Sequence, residues 1–337
     1  MSELLLREGL LDDARLTSSD LFELLDIARS LKKDRRERRE SSLLARKNIA
    51  LIFEKPSTRT RCAFEVAARD QGAGVTFLTE LASHMDVLES LEDTAHVLGR
   101  MYDGIAYRAR SQDRIEAMAR HSGIPVWNGM SDIWHPSQMV CDLMTAREFC
   151  RKPWNEMVLT FIGDGRSNVV NSLLVGGALA GMHIRVVSPT PFAPSGRPVE
   201  TANRICTQTG GSLVITPDLE VGVVGADFIY TDVWVWIQEP RESWLERVDL
   251  LHGYDVTRHV LAMTGNPSVK FMHCLPSLHD CSTRLGKELR DHTGRTHAEV
   301  TDEVFRSSAS IVFDQAENRM HAIKAIMVAS LVACGPG

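Results

Sequence analysis

The sequence predicts an α/β protein with two doubly wound parallel-sheet domains joined by helices. Short apolar, β-rich runs alternate with helical patterns along the 337 residues, and this alternation is typical of βαβ units. It is interrupted once, at the basic, proline-containing stretch CRKPWNE, and then starts again. At about 150 residues per domain, the length also indicates two domains. We therefore expect one domain over residues 1–150 and a second over residues 151–316.

The individual elements follow from the apolar runs. An amphipathic helix is expected near residues 21–36, and another at residues 137–149 closes the first domain. Four strands between them are predicted from NIALIF, GVTFLT, GIAYR and IPVWNG. Five strands of the second domain are predicted from MVLTFIG, IRVVSP, SLVITP, DFIYTDVW and VKFMHCLP. Apolar residues three and four apart predict a last helix, at about residues 317–334, that packs back on the first domain.

Composition and charge exclude several classes of function. Lys and Arg total 38 against 44 Asp and Glu, so the net charge is −6 and the chain has no overall attraction for nucleic acid or anionic lipid. We see neither a signal-peptide pattern nor an apolar run of the roughly 18–20 residues that a membrane helix needs. The seven scattered cysteines contain no C-x-x-C pattern, which argues against a disulfide framework or zinc site. We expect a cytoplasmic protein.

The clearest candidate site follows the first predicted strand. Open parallel sheets bind ligands at the carboxyl ends of their strands, and the strand ending at Phe53 leads into Ser57–Thr60 at the start of a helix. Hydroxyl groups, a guanidinium and the unpaired N–H groups of a helix start together favour a bound phosphate. The alternative is an ordinary helix cap, formed by Ser57 or Thr58, beside surface arginines. The close spacing of hydroxyl and arginine side chains favours the phosphate site.

Further polar residues follow later strands of the first domain. Arg108 ends the run GIAYR, and His135 and Gln138 lie at the start of a helix. Taken singly, each is more often a surface charge or a satisfied structural residue. Together with Ser57–Thr60 they supply cations and donors that can polarise a carbonyl oxygen, and an amide that can recognise an NH₂ group.

Three polar residues follow strands of the second domain. They are Asn168 in GDGRSN, Asp232 in YTDVW and Cys274 in MHCLP. An aspartate at a strand end can hold an ammonium group, and a neighbouring thiol can orient or help deprotonate an amine. The more frequent fate of a free cysteine is a small buried apolar residue. GDGRSN lacks the G-x-G-x-x-G spacing of dinucleotide-binding proteins, which disfavours a dehydrogenase.

Three motifs, FEKPSTRTR, HPSQ and HCLP, carry a resemblance to a known family. Together with LGRMYDGIAYR, SGIPVWNG, SIVFDQAENRMH and IKAIMVA, they span nearly the whole chain, which resembles the aspartate and ornithine carbamoyltransferases. The cysteine of HCLP indicates the ornithine branch. The resemblance implies a carbamoyl phosphate-binding domain over residues 1–150 and an amino-acid-binding domain over residues 151–316. It also implies a homotrimer, or a multiple of trimers, with active sites at subunit interfaces.

The resemblance further implies a reaction and residue roles. The carbamoyl group of carbamoyl phosphate would pass to the side-chain amine of L-ornithine, giving L-citrulline and phosphate, without a metal or redox cofactor. The residues implied to hold the phosphate are Ser57, Thr58, Arg59, Thr60, Arg108 and Arg319. Those implied to polarise the carbonyl oxygen are Arg108, His135 and Thr60. The carbamoyl NH₂ group would be recognised by Gln138 and the Leu275 carbonyl group. Asn168 and Asp232 would hold either the acceptor's α-amino and carboxylate end or its attacking amine, with Cys274 close to that amine and to the carbamoyl phosphate. The implied catalytic residues are Arg108, His135, Asp232 and Cys274.

Two segments depart from the family pattern. Relatives carry Ser-Met-Gly after the Asp-Val-Trp strand end, where this chain has Trp236-Ile237-Gln238. Trp236 and Ile237 would contact the acceptor, and their added bulk can change which amine is accepted. Relatives also carry a lysine that reaches a neighbouring subunit's carbamoyl phosphate, where this chain has Leu88. Asp86 adds a negative charge nearby, so we expect a weaker hold on the phosphate.

Three interpretations follow from these departures. The first is a carbamoyltransferase that acts on L-ornithine or a near analogue. The second is the same reaction on a different amine, such as another diamino acid, a diamine or an acylated ornithine. The third is a weakly catalytic or non-catalytic homologue that acts in binding or assembly. The near-complete set of phosphate-binding and carbonyl-binding residues argues against the third.

Overall fold

The computed structural model describes residues 3–79, 84–234 and 241–332. The chain divides into two compact units, Met1–Thr145 with Glu317–Gly337, and Ala146–Ala316. Among the described residues, each unit contains one sheet, and all the strand pairs within the two sheets are parallel. The predicted α/β fold class, with two parallel-sheet domains joined by helices, is confirmed.

The sheet of the first unit has the strand order β2-β1-β3-β4. Its strands are β1 (Asn48–Phe53), β2 (Gly74–Thr79), β3 (Gly104–Arg108) and β4 (Val126–Met130). The helices that begin before the unit boundary at residue 145 are α1 (Glu3–Glu8), α2 (Ser18–Arg36), α3 (Thr58–Asp70), α4 (Leu91–Met101), α5 (Gln112–Ser122) and α6 (Pro136–Phe149). Because β2 and β3 lie on opposite sides of β1, the winding of the sheet reverses between β1 and β3. Ligands bind at the carboxyl ends of strands where such a reversal occurs.

The second unit has a five-stranded sheet in the order β7-β6-β5-β8-β9. Its strands are β5 (Val158–Ile162), β6 (His183–Val187), β7 (Ser212–Thr216), β8 (Phe228–Thr231) and β9 (Lys270–His273). The helices are α7 (Asn168–Ala180), α8 (Arg197–Thr209), α9 (Leu219–Val223), α10 (Arg241–Leu250), α11 (Arg258–Met263), α12 (Arg284–Thr293) and α13 (Asp302–Phe305). The winding of this sheet reverses between β5 and β8, which gives the second unit a crevice of the same kind.

The last helix, α14 (Val312–Val332), lies in the first unit from residue 317 onwards. The buried indole of Trp127 in β4 donates to Ser330 Oγ at 3.1 Å. Lys324 is fully buried and pairs with two carboxylates, one of them Asp70 at 2.8 Å. A buried ammonium is stable only when it is paired, so these contacts fix α14 within the unit. Among the described helices, none has the length and apolar content to cross a membrane.

Candidate active site

The first candidate cluster lies where the winding of the first sheet reverses. Phe53, the last residue of β1, pairs in register with Arg108, the last residue of β3. The Glu54 N–H group also donates to the Arg108 carbonyl oxygen at 3.0 Å. The backbone therefore places Arg108 beside the start of the segment that leads to Ser57–Thr60. We name the donor cluster as Ser57–Thr60, Arg108, His135, Gln138 and Arg319.

Ser57 caps the helix that follows β1. Its Oγ accepts a hydrogen bond from the Thr60 N–H group at 3.3 Å, so Ser57 rather than Thr58 is the cap. The first N–H groups of a helix lack partners within the helix, and this end carries partial positive charge. The first turn of α3 contains no acidic side chain, while Arg59 lies half-buried within it. The start of α3 can therefore hold an anion.

One guanidinium group connects three members of the donor cluster. Arg319, buried in α14, donates through Nη2 to Thr60 Oγ1 at 3.0 Å and to His135 Nε2 at 2.8 Å. Its Nη1 donates to Gln138 Oε1. The planar fork of arginine suits this arrangement, because several N–H groups point in fixed directions. Residues from α3, α14 and the start of α6 are thereby brought together.

His135 is held in its neutral form. Its burial, together with the charges of Arg319 and Arg108, lowers the pKa of His135 well below the usual value near 6.5. Since a guanidinium only donates, the Nε2 atom accepts, and the ring proton is assigned to Nδ1. A neutral imidazole N–H group can stabilise charge on a carbonyl oxygen while remaining uncharged itself.

The Gln138 amide is oriented by partners on both sides. Its Oε1 accepts from Arg319, and its Nε2 donates to Asp142 Oδ1 at 2.6 Å. Both Gln138 and Asp142 are buried. An amide oxygen can accept a second hydrogen bond, and so can still receive one from an NH₂ group. Asp142 was missed in the sequence, although its position four residues after Gln138 on a predicted helix was a usable signal.

Glu54 was also missed, and it organises the surroundings of Arg108. Its buried carboxylate accepts hydrogen bonds from the Tyr107 hydroxyl, from the Arg110 N–H group at 2.7 Å and from Arg114 Nε at 2.7 Å. Burial and the Glu54 carboxylate raise the pKa of Tyr107, so the hydroxyl stays protonated and donates. Glu54 therefore ties the end of β1 to residues on both sides of Arg108. Its place inside FEKPSTRTR was visible in the sequence, but its partners were not.

The segment that carries Leu88 forms a closed turn. The N–H groups of residues 87–89 all donate to the His84 carbonyl oxygen, at 2.9–3.1 Å. Asp86 has a left-handed φ of 62° and pairs with Arg114. The negative charge expected from Asp86 is therefore paired with a guanidinium instead of standing alone. Leu88 is 80% exposed, and the effect of having leucine here on the phosphate stays a prediction.

The second candidate cluster lies at the carboxyl ends of neighbouring strands in the second unit. Asp232 follows β8 and Cys274 follows β9, and the last residues of the two strands pair in register. Cys274 Sγ donates to Asp232 Oδ1 at 3.1 Å, and the Val233 N–H group donates to the same oxygen at 2.8 Å. Asn168 begins α7, which follows β5, the other neighbour of β8. We name the acceptor cluster as Asn168, Asp232 and Cys274.

Asp232 carries an incompletely bonded carboxyl group. It is 4% exposed, and burial raises its pKa despite opposing effects of His273, Cys274 and the Val233 N–H group. Within the described ranges, its second oxygen, Oδ2, has no hydrogen-bond partner. A buried acceptor without a partner is costly. A polar hydrogen of a bound ligand could supply the missing donor.

Glu299, a third residue missed in the sequence, supports the loop after β9. Its fully buried carboxylate accepts from the Leu278 N–H group at 2.6 Å and from Ser277 Oγ at 2.8 Å, and lies 3.4 Å from His273 Nε2. His273 Nδ1 accepts from the Leu275 N–H group at 2.8 Å, so the ring proton is on Nε2 and faces Glu299. Burial would raise the pKa of Glu299, but these donors hold it below its usual value.

Some expected contacts stay predictions. Trp236 and Ile237, together with Gln238, lie outside the described residues. Cys274 and Leu275 belong to the second unit, whereas the other residues expected to hold carbamoyl phosphate belong to the first. The ligand atoms of Asp232, His273 and Cys274 lie within 4.8 Å of one another and could hold a metal ion. The expectation of a reaction without a metal or redox cofactor therefore also stays a prediction.

Comparison with known families covers both units. A family model described as the carbamoyl-P binding domain of aspartate/ornithine carbamoyltransferase matches residues 9–148. Another, described as the Asp/Orn binding domain of the same proteins, matches residues 155–330. The chain belongs to the aspartate/ornithine carbamoyltransferase family. The family resemblance inferred from FEKPSTRTR, HPSQ and HCLP is thus confirmed.

Solved structures of ornithine carbamoyltransferases resemble this family member over nearly its whole length. The enzyme from Pyrococcus furiosus is 33% identical with a TM-score of 0.88, and the match covers 99% of each chain. The enzyme from Gloeobacter violaceus is 35% identical with a TM-score of 0.80, covering 96% of this chain and 99% of that one. The enzyme from Thermus thermophilus is 34% identical with a TM-score of 0.79, covering 96% and 98%.

Proposed function

We propose that this carbamoyltransferase family member moves the carbamoyl group of carbamoyl phosphate to the side-chain amine of L-ornithine, giving L-citrulline and phosphate. The observation that carries the proposal is the donor cluster, in which Arg319 contacts Thr60, His135 and Gln138. The similarity to three ornithine carbamoyltransferases and the cysteine of HCLP support ornithine as the acceptor.

The donor cluster supplies what each end of carbamoyl phosphate requires. The N-terminus of α3, with Arg59 and Arg108, provides N–H groups and positive charge for the phosphate. The Nδ1 proton of His135 and the Thr60 hydroxyl can donate to the carbonyl oxygen, which becomes negatively charged when the carbon is attacked. Gln138 Oε1 can accept from the carbamoyl NH₂ group. These donors are held in place before the reaction starts, which lowers the barrier.

The acceptor cluster supplies a site for the amine. Asp232 Oδ2 can accept a hydrogen bond from the substrate nitrogen, and Asn168 can bind the amino-acid end of the substrate. The side-chain ammonium group first loses one proton to solvent and attacks the carbamoyl carbon as a neutral amine. The new N–C bond then forms, the bond from that carbon to the phosphate oxygen breaks, and a further proton passes from the nitrogen to the departing phosphate. We expect the buried Asp232 carboxyl group, with Cys274 against it, to hold the nitrogen during this step.

The second candidate function is the same transfer to a different amine. The replacement of Ser-Met-Gly by Trp236-Ile237-Gln238 favours it, since a hydroxyl is lost and bulk is added where relatives contact the acceptor. Restoring Ser-Met-Gly at residues 236–238 would then increase the kcat/KM for ornithine. If that value does not change, the segment does not select the acceptor.

An amine panel tests the two candidates together. The protein is incubated with carbamoyl phosphate and, separately, L-ornithine, L-2,4-diaminobutyrate, L-lysine, putrescine, N-acetyl-L-ornithine and L-aspartate, and both ureido product and phosphate are measured. We expect the highest kcat/KM with L-ornithine. Turnover with another amine alone would support the second candidate. No ureido product with any amine would refute the proposed reaction.

A further inference from the structure

Two helices of the first unit bring together three potential metal ligands that are not part of the donor cluster. Glu92 and His96 are one turn apart on α4, and His121 lies in the last turn of the neighbouring α5. Glu92 Oε1 lies 3.4 Å from His121 Nδ1 and 3.9 Å from His96 Nε2. One ligand atom from each residue lies within 4.8 Å of the other two.

The spacing of α4 and α5 is fixed by close backbone packing. A Cβ atom placed on Gly99 of α4 would lie 1.9 Å from the Ser122 carbonyl oxygen, so the helices approach at a point where only glycine fits. His96 and His121 are next to this point, and their rings meet edge to face with centroids 5.6 Å apart. Ligands carried by two tightly packed helices are held more precisely than ligands on loops.

We propose that Glu92, His96 and His121 bind a zinc-like divalent cation. Imidazole and carboxylate ligands suit Zn²⁺ and the later first-row metals, whereas Ca²⁺ and Mg²⁺ require mostly oxygen ligands. Ligand atoms about 2.0–2.1 Å from a tetrahedral Zn²⁺ are separated by about 3.3 Å. The 3.4 Å separation already meets this value, whereas the 3.9 Å separation and the separation of the two histidine nitrogens, which is within 4.8 Å, would shorten through side-chain rotation. A water molecule would complete the four-coordinate site.

The three ligands are accessible and suitably charged. The exposed fractions of the side chains are 60% for Glu92, 49% for His96 and 26% for His121, so an ion can reach them from solvent. By contrast, in the group His279, Asp280 and Asp302 the Arg306 guanidinium bonds both Asp302 oxygens, at 2.8 and 3.0 Å. A metal there would have to displace a cation. In the group proposed here, the carboxylate faces two imidazole rings, each of which can supply a nitrogen ligand.

A bound ion would join α4 to α5. Ser90, which ends the closed turn carrying Leu88, is the N-cap of α4, so the ion would also anchor that turn through the helix. This role is separate from the proposed carbamoyl transfer, because none of the three ligands belongs to the donor or acceptor cluster. We expect zinc to raise the thermal unfolding temperature of the intact protein.

Zinc binding to the full-length, tag-free protein tests the proposal. Bound zinc is measured by equilibrium dialysis at about pH 7.5 for the wild type and for His96→Ala, His121→Ala and His259→Ala. His259 is an exposed helical histidine of the second unit and serves as the matched control. We expect the wild type to bind one zinc equivalent per chain at this site. The His96 and His121 variants should bind that equivalent at least about tenfold more weakly, since each loses one of three protein ligands.

The outcome is decided by comparison with the control. A loss of one zinc equivalent in His96→Ala and His121→Ala, with none in His259→Ala, supports the site. Equal zinc binding by all four proteins overturns it, even if zinc binds elsewhere. Circular dichroism confirms that the variants fold, and both substituted side chains reach solvent. Ornithine turnover measured alongside separates this proposal from the proposed reaction, since loss of zinc binding with turnover retained bears on the metal site alone.

Discussion

Replacing Arg319 by lysine perturbs the donor cluster most selectively. Lysine keeps the positive charge but cannot reproduce the three contacts of the guanidinium with Thr60, His135 and Gln138. A hydrogen bond to a charged group contributes about 1.5–3 kcal/mol. If lysine retains one contact, the loss of the other two costs about 3–6 kcal/mol of interaction free energy. Part of this loss lowers the free energy of unfolding. We expect the remainder to lower kcat/KM for carbamoyl phosphate by about 10²- to 10³-fold, comparable to the loss of a single oxyanion donor.

Initial rates of ureido product formation measure this effect, with each substrate varied at saturating levels of the other. Arg69→Lys is the matched control, because Arg69 is an exposed arginine on α3 whose guanidinium lies 4.0 Å from the Glu65 carboxylate. Thermal unfolding of both variants separates loss of fold from loss of function. A folded Arg319→Lys variant with a kcat/KM within about threefold of the control would refute the role of Arg319 in organising the donor cluster.

Three further substitutions test individual groups. Asp232→Asn is expected to lower turnover by about 10²-fold or more. It is also expected to increase the free energy of unfolding at pH 7, measured with urea. The pKa of Asp232 is raised in the folded protein, so the wild type loses stability as the pH rises above the unfolded-state pKa and through the folded-state pKa. His135→Gln is expected to flatten the dependence of the unfolding free energy on pH below about 6.5. The pKa of His135 is lowered in the folded protein, so the wild type loses stability as the pH falls through that range. An unchanged pH profile would contradict this. Glu54→Gln is expected to lower the free energy of unfolding in urea by about 2–4 kcal/mol, less than for a fully buried pair because Arg114 is partly exposed. A variant as stable as the wild type would show that this carboxylate does not hold the end of β1 to the residues beside Arg108.

The sequence was most informative where the contacts of the site are local. The end of β1, the cap at Ser57 and the start of α3 lie within a few residues of one another, so strand, turn and helix signals all indicated the same place. The strand ends before Asp232 and Cys274 were equally visible, because short apolar runs between turn residues mark strands well. The alternation of strands and helices was sufficient for the parallel-sheet fold class.

Contacts between distant segments could not be predicted from the residues alone. Arg319 and Thr60 are 259 positions apart, and only the family resemblance linked Arg319 to the anion pocket. Glu54 and Glu299 were missed because a buried carboxylate is recognised by its partners, which come from other strands and loops. The pairing of Asp86 with Arg114 was missed for the same reason. In each case a local pattern gave the residue, whereas tertiary packing gave its contacts.

The most direct test of the donor cluster is a crystal structure with a phosphonate analogue of carbamoyl phosphate. The account predicts the phosphonate group at the N-terminus of α3, within hydrogen-bond distance of the N–H groups of residues 58–60 and of Arg108. It also predicts the analogue's carbonyl oxygen facing His135. An analogue bound away from α3, or one whose phosphonate contacts none of these groups, would contradict the account.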